Sequence, residues 1–295
     1  MAFVSEDTIT DIVTARFEGA ADRPGGPRMA KVMTSLVRHL HAFVRDVELT
    51  HGEWATAIDF LVRTGKLSSE KRNEMILLSD VLGISMLTTM LDGALPEGAT
   101  PNTVTGPFHI EDSPVLPDGA DMAGGAPGEL CFIVGQVRDL DGTPVEGAEL
   151  DVWQADEDGL YESQVAAAGP YLRGIYHSGP DGRFCIRTVV PCHYSIPMDG
   201  PVGELVRATG ISHDRPAHVH LRVTAPGRQE LITHLFRAHS DYIDSDAVYG
   251  VREKLIVDFA YHDAGVTPDG GLSETKFATV RFDVVLSAAR AALAA

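Results

Sequence analysis

The segment Arg215-Pro216-Ala217-His218-Val219-His220 places two histidines two residues apart, and Leu221-Arg222-Val223 continues it as an apolar run. Side chains of a β-strand alternate between its faces. A strand here points His218 and His220 to one side and Val219, Leu221 and Val223 to the other, into a core. Two imidazoles on one rigid face make half of a metal site. Its partners must come from elsewhere. No carboxylate follows His220 before Glu230, and no Cys-X-X-Cys motif occurs, which weakens the case for a structural zinc site.

Two tyrosines stand out as partners. Tyr161 follows the strand-like Asp151-Val152-Trp153-Gln154 and an acidic turn, Asp156-Glu157-Asp158-Gly159. Tyr194 follows Val190-Pro191-Cys192-His193 and precedes Ser195-Ile196-Pro197. Each falls at a strand end or in a loop, where site residues concentrate. Taken singly, either reads equally as a boundary residue with its hydroxyl in water. A phenol has a reference pKa of about 10, so it ligates only a metal acidic enough to remove its proton. Ferric iron is such a metal. Two phenolates and two neutral imidazoles would favour Fe(III), a centre suited to activating an electron-rich aromatic substrate. A zinc hydrolase and a non-catalytic β-sandwich module are the alternatives from other classes.

The order and spacing of Tyr161, Tyr194 and His218-Val219-His220 resemble those of the intradiol ring-cleavage dioxygenases, and Arg215 to His220 resembles their signature. Val104-Thr105-Gly106-Pro107-Phe108 and Glu149-Leu150-Asp151-Val152-Trp153-Gln154 are similar to further segments of that family, so the resemblance covers most of the chain. Leu77 to Gly83 and Asp244 to Val251 look most like the branch that cleaves hydroxyquinol. The resemblance implies Fe(III), one per subunit, held by Tyr161, Tyr194, His218 and His220. Tyr194 and His220 would be axial, and Tyr161 and His218 equatorial. It also implies that Tyr194 takes up a substrate proton and that Arg215 stabilises negative charge on the bound ring. A structural salt bridge at the strand start is the other reading of Arg215.

The implied reaction is cleavage of hydroxyquinol (1,2,4-trihydroxybenzene) by O2, between its two adjacent hydroxylated carbons. The product would be 3-hydroxy-cis,cis-muconate or its maleylacetate form. Catechol or a chlorocatechol is the alternative substrate. Leu77, Asp80, Val104, Thr105, Gly106, Ile196, Pro197 and Val248 match pocket-lining positions, and Asp80 could accept a hydrogen bond from the third ring hydroxyl. His234 stands where catechol-cleaving relatives commonly have Gln and is expected to act from just outside the ligand set. The resemblance further implies a homodimer through the N-terminal helices and raises a lipid-holding tunnel at that interface.

These residues need a scaffold. The first hundred residues read as helices. Ser5 can cap a segment carrying Ile9, Ile12, Val13 and Phe17, and Met29 to Val44 repeats at helical spacing. Thr50-His51-Gly52-Glu53 is a capping box opening a third helix, which stops near Gly65. A fourth, apolar nearly all round, is expected from about Ser69 to Leu91, ending at Gly93. Residues 94 to 128 are rich in Pro and Gly and read as a long surface linker. Strands are expected at Leu130–Val137, Ala148–Trp153, Gly182–Val190, Ala217–Val223, Glu230–Phe236 and Phe277–Val285, with turns at Asp141-Gly142 and Asp181-Gly182. A short helix spans Asp199 to Thr209, and the Ala-rich tail from Ser287 reads as helical. The fold class is α+β: a helical dimerisation and linker domain over 1–105, then an antiparallel β-sandwich catalytic domain over 106–295.

The bulk composition agrees. A chain of 295 residues with 44% hydrophobic and 22% charged residues can bury a sizeable core. A net charge of −18 argues against a nucleic-acid partner. Cys131, Cys185 and Cys192 fit neither a disulfide framework nor a zinc motif and read as free thiols. The N-terminus lacks the pattern of a signal peptide and no long apolar run occurs, so a cytoplasmic protein with no membrane span is expected. The expected partners are a small aromatic diol or triol and O2.

Overall fold

The computed structural model describes residues 3–23, 25–69, 72–92, 95–165 and 169–289. The chain divides into two compact units, Met1–Arg63 and Thr64–Ala295. In the first, α1 (Ile9–Glu18) packs on α2 (Gly26–Asp46), and α3 (His51–Leu67) begins. Ser5 accepts from the Thr8 N–H through its hydroxyl, in the turn before α1. The capping box of α3 forms as expected: the Thr50 N–H donates to Glu53 Oε2 at 2.9 Å and the Glu53 N–H to Thr50 Oγ1 at 3.3 Å. Along α2, the apolar row Met29, Val32, Leu36, Leu40, Phe43 and Val44 is exposed.

The expected fourth helix is two helices, α4 (Glu74–Val81) and α5 (Ile84–Asp92), with axes turned by 78°. Gly83, at φ +70°, makes the break in the left-handed region that glycine enters without steric cost. The expected stop at Gly93 lies outside the described residues. Asn73 caps α4 by accepting from the Ile76 N–H. Glu74, fully buried, pairs with Arg72 and accepts from the backbone N–H of Val202, which opens α6 (Pro201–Thr209). That anchor fixes the helix carrying Leu77 and Asp80. Among the described residues no single helix is long and apolar enough to cross a membrane; only the bent pair α4–α5 reaches that length and composition together.

The strands are β1 (Leu130–Asp139), β2 (Glu149–Trp153), β3 (Arg173–His177), β4 (Arg183–Val189), β5 (Tyr194–Ser195), β6 (Asp214–Arg215), β7 (His218–Thr224), β8 (Leu231–Arg237), β9 (Ile256–Val257), β10 (Ala260–His262), β11 (Gly265–Val266), β12 (Leu272–Ser273), β13 (Phe277–Arg281) and β14 (Val284–Leu286). One five-stranded sheet has the order β10-β13-β1-β14, with β4 also paired to β1; the other has the order β3-β2-β7-β8-β9. Ile133, Val137, Ile186 and Val280 from the first sheet join Leu150, Val152, Val219, Leu221 and Leu235 from the second in one core. Each such side chain contributes about 1.5–3 kcal/mol by burial. Most pairs are antiparallel, and β13 and β14 are parallel to β1, as β9 is to β8.

Three local readings need correction. The expected strand Phe277–Val285 breaks at Phe282, whose N–H donates to Val134 O. Gly135 permits this approach, since a Cβ there would lie 1.7 Å from the Phe282 carbonyl oxygen. Strand β3 was not anticipated, because Gly174 and the flanking charges hide its alternation. The tail does not start as a helix: Ser287 and Ala289 bond to Gln229 and Gly227 in extended pairing, and residues 290–295 lie outside the described residues. The linker is tied down along its length. Thr103 donates to Ile232 O, Leu116 to Ile175 O and Met122 to Arg187 O through their backbone N–H groups.

Candidate metal centre

Strand β7 alternates as its sequence requires. Val219, Leu221 and Val223 enter the core, while His218 and His220 occupy the opposite face, each buried to 2% exposure. The Nδ1 of His218 is 2.7 Å from Pro216 O, which holds a proton there and turns Nε2 to the site. His220 lies flat against the indole of its cross-strand neighbour Trp153, with ring centroids 4.7 Å apart and planes at 13°. The edge of His109 abuts that indole, and His109 is itself held 2.7 Å from Asp151.

Tyr161 arrives from the acidic turn. Asp156 accepts from the N–H groups of Asp158 and Leu160, and Gln164 Oε1 accepts from the Tyr161 N–H at 3.0 Å. Phe108 stacks on the Tyr161 ring. Tyr194 sits on β5, paired with Arg215 on β6. Gly159 lets the acidic turn pass Tyr194, since a Cβ there would meet Tyr194 Cβ at 2.4 Å.

The polar ends converge. Tyr161 Oη lies 3.0 Å from Tyr194 Oη, 2.8 Å from His220 Nε2 and 3.5 Å from His218 Nε2, and the two imidazole nitrogens are 3.2 Å apart. A cation with bonds of about 2 Å would gather four donors at such separations. Burial, followed by the Arg215 charge, pushes His218 down to about 3. Burial, followed by the proximity of His234, His218 and Arg215, likewise holds His220 well below the usual histidine range. Both rings are therefore neutral and offer lone pairs. Burial and the adjacent Tyr194 push Tyr161 well above the usual phenol range, so only a strongly acidic cation would draw off its proton. The residues present fit iron.

Arg215 borders the donors, with Nη1 3.1 Å from His218 Nε2 and 3.5 Å from Tyr194 Oη. The salt bridge of the second reading is present: its Nε donates to Asp246 Oδ1 at 3.0 Å. Burial opposes its charge, but Asp246 and the two phenols outweigh that and raise its pKa. His234, opposite His220 on β8, is fully buried. Its Nδ1 meets the Thr103 hydroxyl, and its Nε2 has no hydrogen-bond partner among the described residues. His218, His220 and His234 each offer a ligand atom within 4.8 Å of the others.

The expected pocket residues are placed unevenly. A Cβ on Gly106 would lie 3.3 Å from His220 Cε1, so the backbone itself approaches the site. Asp80 is buried on α4 and feels the charges of Arg215 and Asp246. Leu77 lies one turn earlier on the same helix face, also buried. The Val248 N–H donates to Asp246 Oδ1 at 3.4 Å. Val104 and Thr105 follow Thr103, the residue bonded to His234. Ile196 is buried just beyond Tyr194, and Pro197 shares a cavity of about 560 Å³ with Tyr194 and Phe108. The sequence reading gave no individual role to Asp246, Trp153, Phe108, Thr103 or the His109–Asp151 pair. All lay within or beside segments that resemble the family, but their contacts depend on loop geometry.

The family described as Dioxygenase matches residues 104–288, and that described as Catechol dioxygenase N terminus matches residues 26–100. The chain belongs to the intradiol ring-cleavage dioxygenases. A 6-chlorohydroxyquinol 1,2-dioxygenase of Cupriavidus pinatubonensis is 51% identical to this dioxygenase over 88% of this chain and 93% of its own. A hydroxyquinol 1,2-dioxygenase of Nocardioides simplex is 45% identical over 96% of both chains. The crystal structure of a Pseudomonas putida hydroxyquinol 1,2-dioxygenase superposes with a TM-score of 0.87 at 43% identity, covering 96% of this chain and 99% of that one. The family is iron-dependent, in agreement with the donor set.

Proposed function

We propose that this dioxygenase cleaves hydroxyquinol with O2 between its adjacent hydroxylated carbons, using one Fe(III) per subunit held by Tyr161, Tyr194, His218 and His220. The convergence of two phenols and two neutral imidazoles carries the reaction class. The substrate rests on the names of the relatives and on the buried carboxyl of Asp80. Tyr161 Oη lies within 3.5 Å of the other three donors, so Tyr161, Tyr194, His218 and His220 would hold the iron together. Tyr161 and His218 are 3.5 Å apart, while Tyr161–Tyr194, Tyr161–His220 and His218–His220 are 2.8–3.2 Å.

When bound, ferric iron supplies Lewis acidity that favours the ionised diol and draws electron density from its ring. Tyr194 Oη accepts one of the protons that the diol gives up. Arg215 Nη1, permanently protonated beside that oxygen, steadies the negative charge of the bound ring. Asp80 accepts a hydrogen bond from the third hydroxyl. Leu77, Val104, Thr105, Gly106, Ile196, Pro197 and Val248 shape the pocket, and His234 acts from beside the ligand set. Both oxygen atoms of O2 enter the ring-opened product, so atoms balance with no further reductant.

We assign residues 1–105 to a helical dimerisation and linker part and 106–295 to the catalytic part. The exposed apolar row of α2 supports a homodimer through these helices, and a lipid could lie along the same surface. The free thiols Cys131, Cys185 and Cys192 suit a cytoplasmic enzyme. The Cupriavidus relative supports a second reading, a chlorinated hydroxyquinol. O2 uptake by the iron-loaded protein decides, measured with hydroxyquinol, 6-chlorohydroxyquinol, catechol and chlorocatechols and with each product identified. Hydroxyquinol or its chloro form should give the highest kcat/KM. No uptake with either would reject the proposal.

A further inference from the structure

We infer that Asp246 is a positioning residue, which aims Arg215 at the reacting centre and neutralises its charge there. The inference rests on the role proposed for Arg215. The two side chains form a two-point pair, with Arg215 Nε donating to Asp246 Oδ1 at 3.0 Å and Nη2 to Oδ2 at 3.4 Å. This takes up one edge of the guanidinium and leaves Nη1 for His218 and Tyr194. A planar guanidinium held along one edge cannot turn its other donors freely.

Asp246 is itself fixed. The Gly250 N–H donates to Oδ2 at 2.8 Å and the Val248 N–H to Oδ1 at 3.4 Å. A Cβ at Gly250 would lie 3.2 Å from Asp246 Oδ2 and 3.3 Å from Arg215 Nη2, so the loop runs tightly against the pair and a larger residue would push on both side chains. The Ala247 N–H donates to Asp214 O at 3.0 Å, tying the loop to the strand that carries Arg215. Arg215 is 3% exposed and Asp246 6%. A cation this deeply buried, beside donors suited to a second cation, requires a compensating anion, and Asp246 supplies it.

A double-mutant cycle tests the inference on the iron-loaded enzyme, using Asp246→Asn, Arg215→Gln and the neutral double variant. Kinetic constants, melting temperature, iron content and the tyrosinate absorption band are read for each. Removing a donor aimed at developing charge costs about 10²–10³-fold in kcat, the loss expected for R215Q. A misaimed donor costs about 10²-fold, the loss expected for D246N at nearly unchanged KM. D246N should also shift the absorption band, because Arg215 Nη1 no longer faces Tyr194 as before. In the R215Q background D246N should cause no further loss. If D246N multiplies its full loss onto that of R215Q, or keeps full turnover while R215Q is disabled, the inference falls and the Arg215 role stands. If R215Q keeps full turnover, both fall. Asp246→Glu keeps the charge but moves the carboxylate by one methylene, and it is read by the same outcomes where the asparagine variant does not fold.

Discussion

Gly106 touches the metal centre through what it lacks: a Cβ on it would sit 3.3 Å from Cε1 of His220, and its backbone has φ of +78°. Both facts oppose any other residue there. Gly106→Ala should cost about 1–2 kcal/mol from the left-handed backbone alone. That corresponds to a fall in melting temperature of roughly 2–8 °C for a unit of this size. Iron-loaded turnover should fall as well, since His220 must yield by a few tenths of an ångström. A G106A protein that melts and turns over like the wild type would show that the contact has no consequence.

How much of this was legible beforehand follows from how local each signal is. The two faces of β7 could be read directly, because a period of two with one face in the core admits a single register. Tyr161 and Tyr194 could be joined in one ligand set only through the family resemblance, since their 3.0 Å approach depends on the acidic turn and on β5, which are far apart in sequence. The break at Gly83 was hidden because a glycine inside an apolar helical pattern is usually tolerated. Asp246 lay within a noticed motif without a role, because its function depends on Gly250 and on the tie from Ala247 to Asp214.

The iron-loaded protein should be red-brown from tyrosinate-to-iron charge transfer. Tyr161→Phe should weaken that colour and lower iron retention, as Tyr161 Oη is within 3.5 Å of the other three donors. Stripping the metal with a chelator should abolish colour and turnover. It should also lower stability, by about 4 kcal/mol where free iron stood at a thousand times its Kd. Visible spectra, metal analysis and melting curves check this. A colourless but fully metal-loaded wild type would point to zinc instead.

Acid should destabilise the metal-free chain well before carboxylates titrate. Burial, followed by nearby positive charge, lowers the pKa of His218 from 6.5 to about 3 and depresses His220 and His234 too. Below pH 6.5 the unfolded chain binds protons that the folded chain refuses. The stability linked to these histidines is complete above that pH and declines as pH falls. The slope is roughly 1 kcal/mol per pH unit for each ring. Urea midpoints of chelated protein at pH 7, 6 and 5 should therefore fall steadily. Equal midpoints at pH 7 and 5 would mean that the rings are solvated. The iron-loaded form should fall more steeply, because protons compete with the metal for the same nitrogens.

Asp80 is the residue through which the substrate choice can be tested. Burial raises its pKa; the Ser85 hydroxyl and Arg215 pull it down, and Asp246 pushes it up. It is thus a buried carboxyl held between Ser85 and the Arg215–Asp246 pair, and its proposed further partner is the third hydroxyl of the substrate. Hydroxyquinol brings that hydroxyl and catechol does not. A buried group left unpaired costs about 1–3 kcal/mol, equivalent to about 5- to 150-fold in relative rate. Asp80→Ala should reduce the ratio of kcat/KM for hydroxyquinol over catechol by that factor, chiefly by slowing hydroxyquinol. Asp80→Asn keeps a hydrogen-bonding side chain and should lose less. If both variants keep the wild-type ratio, Asp80 is a structural residue and discrimination lies with the apolar wall from Leu77 to Val248.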